Sequence, residues 1–155
     1  MKLEISKQAT LKLTAQLSVI LLTISTTACA QGDITMDDRT ALPCGNKPNC
    51  VSTEDSRADH HLAPFILQPG TTLKQVEAIA LTLPGAKLAV SNDGYLRVEC
   101  TSKWLKFVDD LEIRLDGQQM QVRSESRVGY SDFGVNRKRT EQLRQGLSQA
   151  GLLML

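Results

Sequence analysis

The sequence predicts an α+β domain: a four-stranded antiparallel sheet with two helices packed on one face, in the order helix, four strands, helix. Apolar residues recur at helical spacing over 73–83, alternate with polar ones over 88–122, and return to helical spacing towards the C-terminus. Turn signals at Asn92-Asp93-Gly94 and Asp116-Gly117 fold the alternating runs into hairpins.

The chain opens with a processing segment. Lys2, Lys7 and Lys12 give a cationic start, and Leu17 to Ile24 form an apolar stretch too short to span a bilayer. Residues 1–28 are expected to be a signal peptide. Thr26-Thr-Ala-Cys29 resembles a lipobox, which makes Cys29 the expected lipidated first residue of an envelope lipoprotein, and Ala30 behind it resembles the sorting signal for the outer membrane. Ala28-Cys29-Ala30 also fits ordinary signal peptidase, which would leave a soluble periplasmic protein. Export, with the domain facing the periplasm, is common to both readings.

Removing residues 1–28 takes away three lysines and one glutamate, so the formal charge falls from +1 to −1 over 127 residues. That length suits one domain, and the near-neutral charge excludes a general nucleic-acid binder. Residues 29–43 are polar, lack periodicity and read as a tether, which leaves 44–155 as the domain. Cys44 and Cys50 flank a turn-rich loop in an exported chain, so a disulfide is expected. A metal or a reactive thiol is the alternative, but the adjacent His60 and His61 supply no zinc spacing by themselves. No cofactor or metal is expected.

Residues 44–70 read as an irregular arm with prolines at 48, 64 and 69. Thr72 and Gln75 make a capping box for the first helix, and Pro84-Gly85 stops it. The strands take Leu88 and Val90, then Leu96, Val98 and Cys100, then Phe107, Leu111, Ile113 and Leu115, then Met120 and Val122. Cys100 reads as a buried free thiol. A two-residue Asp116-Gly117 turn would set Leu115 opposite Gln118, pairing Asp110 with Arg123 and Asp109 with Ser124. Trp104 reads as a packed core residue, with a membrane rim or interface anchor as the alternative.

The most informative run is 123–139: five cations, three serines, Tyr130, Asn136 and two glycines, with little apolar bulk. Candidate ligand-binding residues are Ser124, Ser126, Arg127, Tyr130, Asn136, Arg137 and Arg139, with Asp109 aimed at the helix layer. Arg137, Lys138 and Arg139 crowd the start of the last helix, where free backbone N–H groups and cations could hold an anion. Equally, they could form a solvated, ion-paired face. Asp109 either pins the last helix to the sheet or lines a polar pocket.

Three stretches carry a family resemblance: Pro48-Asn-Cys50-Val-Ser52, Phe107-Val-Asp-Asp-Leu-Glu112, and the Arg123-Ser-x-Ser-Arg127-Val-Gly-Tyr-Ser-Asp132 run continuing to Arg139. Together they resemble the family called domain of unknown function 1499, over about residues 43–150. The resemblance implies a domain and transfers no mechanism or catalytic residue. The expected function is a binding or accessory module that meets an anionic small molecule, a lipid headgroup or an envelope protein through 123–139. A hydrolase-like enzyme using Asp109 and the Arg/Ser cluster, or a purely structural tether, are the alternatives. The enzyme reading lacks a nucleophile motif.

Overall fold

Alternation along the strands gives the sheet one apolar and one charged face, and the chain covers the middle of both. The computed structural model describes residues 37–154. The expected signal peptide, the Cys29 lipidation site and the first part of the tether lie outside the described residues. The elements are β1 (Cys50–Ser52), β2 (Phe65–Ile66), α1 (Leu73–Ala80), β3 (Ala86–Asn92), β4 (Tyr95–Thr101), β5 (Val108–Asp116), β6 (Gln119–Ser126) and α2 (Val135–Gln149).

The class is α+β with an antiparallel sheet and two helices, but the sheet has six strands rather than four. Strand order is β1-β6-β5-β4-β3, and β2 also pairs with β6. The two extra strands come from the arm expected to be irregular. At three and two residues they are too short to show alternation, and each leans on β6. One cluster unites Val76 and Ala80 of α1, Leu143 and Leu147 of α2, and the inward row Leu96, Val98, Leu111, Ile113, Met120 and Val122.

Local signals explain most boundaries. The Thr72–Gln75 capping box is formed in both directions. Gly85 stands at φ +72°, and a Cβ there would lie 2.2 Å from the Thr101 carbonyl oxygen, so only glycine fits between α1 and β3. Asp93 and Gly94, both at positive φ, close the β3–β4 hairpin. The β5–β6 turn departs from expectation: Asp116 pairs with Gln119, and Gly117-Gln118 form the loop. The register is shifted by two residues, setting Leu115 opposite Met120, Glu112 opposite Arg123 and Asp109 opposite Ser126. An even shift keeps every side chain on its expected face and matches Leu115 with an apolar partner instead of Gln118.

The charged face is buried by residues assigned from the sequence to the tether. Arg39 clamps Glu112, with Nε at 2.9 Å and Nη2 at 2.5 Å from Oε1, and its Nη1 reaches Glu125 at 2.7 Å. The backbone N–H of Arg39 donates to the other Glu112 oxygen at 3.0 Å. Asp38 pairs with Arg114, and Arg123 donates to the carbonyls of Leu42 and Pro43 at 2.8 and 3.0 Å. Residues 37–43 are therefore a strap on the sheet. Their polar composition, which suggested a tether, is what a charged sheet face selects. Cys44 and Cys50 form the expected disulfide, and Cys100 is a buried free thiol.

Glu112 is fully buried, so Arg39→Ala leaves a carboxylate without its main counter-charge. This variant is expected to lose about 3 kcal/mol of stability in urea unfolding. A loss below about 0.5 kcal/mol would show the strap to be incidental.

Candidate functional site

The expected site residues separate into a buried polar seam, two external clamps and an exposed rim. Asp109 and Ser124 point from the sheet towards α2, as their alternation requires. Arg139 of α2 meets Asp109 at 2.6 Å, with both side chains 8% exposed. Its other nitrogen donates to Ser124 Oγ at 3.0 Å and Asn136 Oδ1 at 2.5 Å. Ser124 Oγ donates to Asn136 Oδ1 at 2.7 Å, and Asn136 Nδ2 donates to Asn49 O and Ser126 Oγ, both at 3.0 Å. Asp109, Ser124, Ser126, Asn136 and Arg139 thus form one network that also fixes the loop before β1. The seam is missing from a hydrophobic reading of the helix–sheet contact. Its only sequence signal is polar residues standing at inward positions on β5, β6 and α2.

Arg127, Arg137 and Tyr130 do not join it. Arg127 lies on the opposite sheet face, bonded to Asp110 at 2.9 and 2.7 Å and to Glu99 at 2.6 Å. Those hydrogen bonds, led by the ones it donates to Asp110, hold its pKa above the usual arginine range. Arg137 donates to the carbonyls of His61 and Asp59 at 2.9 and 3.0 Å. Tyr130 is 71% exposed. The start of α2 is also occupied from within, because Asp132 accepts from the N–H groups of Gly134 and Asn136 at 2.9 and 2.8 Å. The arginines of 123–139 therefore meet internal partners.

The family model described as protein of unknown function (DUF1499) matches residues 41–147. The chain belongs to this family. No curated protein and no solved structure matches the sequence. The match spans both ends of the polar seam of this DUF1499 domain, from Asn49 to Arg139.

Beside the seam the domain opens a cleft that the sequence did not reveal. Loop 102–107, between β4 and β5, and loop 127–134, before α2, converge at one end of the sheet. Between them lies a cavity of about 270 Å³ whose apolar walls include Trp104, Leu105, Phe107, Val128, Phe133 and Val135. Asp109 and Ser126 close its inner end. A second cavity of about 510 Å³ shares Ser102, Lys103 and Val135 with the first and adds Lys138, Arg139 and Gln142.

Of six aromatic residues in the chain, Trp104, Phe107, Tyr130 and Phe133 stand on these two loops, and all are exposed. Trp104 is 86% exposed, so its expected core placement is corrected: the 102–107 loop runs beyond the sheet end and carries the ring past the core. Phe133 is 96% exposed and sits at φ +53°, a left-handed backbone angle unusual for a bulky residue. Lys106, on the facing loop, is also left-handed at φ +56°. Neither the hydrophobic core nor backbone comfort accounts for Phe133.

Among the described residues, one group brings metal-ligand types together: Cys44, Asp55 and His60. The Cys44 sulfur is bonded to Cys50, and Asp55 accepts from Arg57 at 2.6 Å and from the Cys44 N–H at 2.9 Å. The Arg57 hydrogen bonds hold the Asp55 carboxyl well below the usual carboxylate range. These three residues act as a brace for the disulfide loop.

Two outcomes follow for stability. Arg139→Met strands the Asp109 carboxylate and is expected to cost about 3 kcal/mol, most of it recovered in the double variant with Asp109→Leu. Equal losses in single and double variants would contradict the pairing. Phe133→Gly relieves a left-handed aromatic and is expected to leave urea stability unchanged or to raise it by up to about 1 kcal/mol. A loss above about 1 kcal/mol would mean that the ring is structural.

Proposed function

We propose that this DUF1499 protein is a non-catalytic binding module of the bacterial envelope. In this reading it is exported by residues 1–28, anchored by lipid on Cys29 at the periplasmic side of the outer membrane, and meets its ligand or partner through the cleft between loops 102–107 and 127–134. The observation that carries the proposal is the exposure of Trp104, Phe107, Tyr130 and Phe133 on two converging loops in an aromatic-poor chain. Trp104, Phe107 and Phe133 line the cavity itself, with Tyr130 on the same loop as Phe133; exposed aromatics around a concave surface are a recognition feature, and here they stand apart from the core.

The chemistry of the seam supports binding over catalysis. A general base must face a proton it can remove, and a nucleophile must face its base. Asp109 instead faces Arg139, and Ser124 donates to Asn136. Burial pushes up the pKa of the nearby Cys100 thiol, which keeps it protonated and a poor nucleophile. The anion expected at 123–139 finds its best counter-charges on lysines at the cleft mouth rather than on the arginines of the run, which are internally paired. No helix among the described residues is long and apolar enough to cross a membrane. The attachment in this reading is the lipid on Cys29.

Native mass spectrometry on protein gently extracted from its own envelope tests this reading. Wild type is expected to carry an added mass or a partner that Phe133→Gly loses, while the same spectrum shows lipid on Cys29. Bare protein in both samples would reject the cleft as a binding surface.

A further inference from the structure

We infer that the cleft holds a single anionic amphiphile, with an acyl chain along the aromatic compartment and its acidic head beside Lys103 and Lys138. This inference rests on the binding-module reading and names the ligand class for the same cleft.

The two compartments are both largely apolar and differ in the charges at their walls: Asp109 and Asp132 line one, Lys138 and Arg139 the other, and Lys103 is common to both. The 270 Å³ compartment has a mostly apolar surface, supplied by Trp104, Leu105, Phe107, Val128, Phe133 and Val135, with Lys103, Asp109 and Asp132 among its polar neighbours. Of its acidic neighbours, Asp109 is paired with Arg139, and the half-buried Asp132 carboxylate accepts two backbone N–H groups at the α2 start. An alkyl chain placed there loses water contact without stranding Asp109 and leaves Asp132 hydrogen-bonded.

The 510 Å³ compartment opens beside it across Ser102, Lys103 and Val135; its surface is also mostly apolar, but its charged lining residues, Lys103, Lys138 and Arg139, are all cationic. Arg139 is committed to Asp109, Ser124 and Asn136. The lysines are not committed: every ion pair among the described residues belongs to an arginine. Lys103 Nζ sits 5.6 Å from the Trp104 ring centroid, which holds a positive charge at the junction of the two compartments. Two uncommitted ammonium groups beside an apolar trough complement a carboxylate or phosphate attached to a hydrocarbon chain. They do not complement a neutral apolar solute or a cationic one. The cavity between the loops, rather than the exposed tips of Trp104 and Phe133, is the part of this surface that a single molecule would fill.

Trp104 is the only tryptophan in the chain, so its fluorescence reports on the cleft directly. The full processed protein is held in phosphatidylcholine nanodiscs and titrated with dodecanoate, with dodecanol, which keeps the tail without the charge, and with acetate, which keeps the charge without the tail. Dodecanoate is expected to give a saturable blue shift, dodecanol to bind about tenfold more weakly, and acetate to give no response. The Lys103→Gln/Lys138→Gln variant is expected to bind dodecanoate as weakly as wild type binds dodecanol. Phe133→Gly, with its fold checked by urea unfolding, is expected to lose the response to both.

Equal affinity for dodecanol and dodecanoate would overturn the anionic head. Emission already blue-shifted in the discs and unchanged by dodecanoate would overturn the enclosed ligand in favour of contact with the bilayer. Absence of any saturable response would overturn the inference. If native mass spectrometry then still showed a Phe133-dependent added mass, the cleft would remain a binding site for a different ligand class. If it showed none, both readings would fall.

Discussion

The ion pair between Asp109 and Arg139 is the constraint from which the arrangement of this domain follows. It ties the middle of the sheet to the first turns of α2 where an apolar helix face would otherwise be expected, and Asn136 and Ser124 complete its hydrogen bonding. A buried pair of this kind is weak evidence for stability, since a well-packed apolar contact would serve as well. Its geometric consequence is larger. Arg139 and Asn136 fix the start of α2 against β5 and β6, and Asp132 caps that start, so loop 127–134 is held on both sides while its apolar tips stay out of the core. The aromatic cleft is the space left between that loop and loop 102–107.

The two sheet faces divide the remaining work. The helix-facing row supplies an apolar core, and the opposite row carries Asp110, Glu112, Arg123 and Arg127, buried in part by the strap of residues 37–43. Glu112 also accepts from the Tyr95 hydroxyl at 3.0 Å, and burial together with that carboxylate pushes the Tyr95 pKa up. The arginines of the 123–139 run, conspicuous in the sequence, are held by internal partners: Arg123, Arg127 and Arg139 by carboxylates and Arg137 by two backbone carbonyls. The free charge near the cleft belongs to lysines.

Much of the fold was legible because it rests on local rules. The capping box at Thr72, the Asp93-Gly94 turn, the inward rows of β4 to β6 and the Cys44–Cys50 disulfide each depend on residues close in sequence. The orientation of Asp109 was legible for the same reason, since strand alternation alone aims it at the helix layer. What escaped depends on long-range partners. β1 and β2 are too short to show a period and exist only because β6 offers an edge. The strap reads as a linker until Glu112 and Arg123 are placed beneath it. Trp104 looks like a core residue because most tryptophans are, and only the length of its loop carries it out. The cleft joins two loops separated by the whole of β5 and β6, so no motif announces it.

The central claim is that the polar seam is a structural joint and that recognition happens in the aromatic cleft beside it. A crystal structure of protein purified from its own envelope without delipidation tests both halves together. The account requires extended density lying against Trp104, Phe107 and Phe133, with Asp109 and Arg139 still bonded to each other. Density that instead parts Asp109 from Arg139 and contacts the freed carboxylate would contradict it, and would return the seam to consideration as a reactive site.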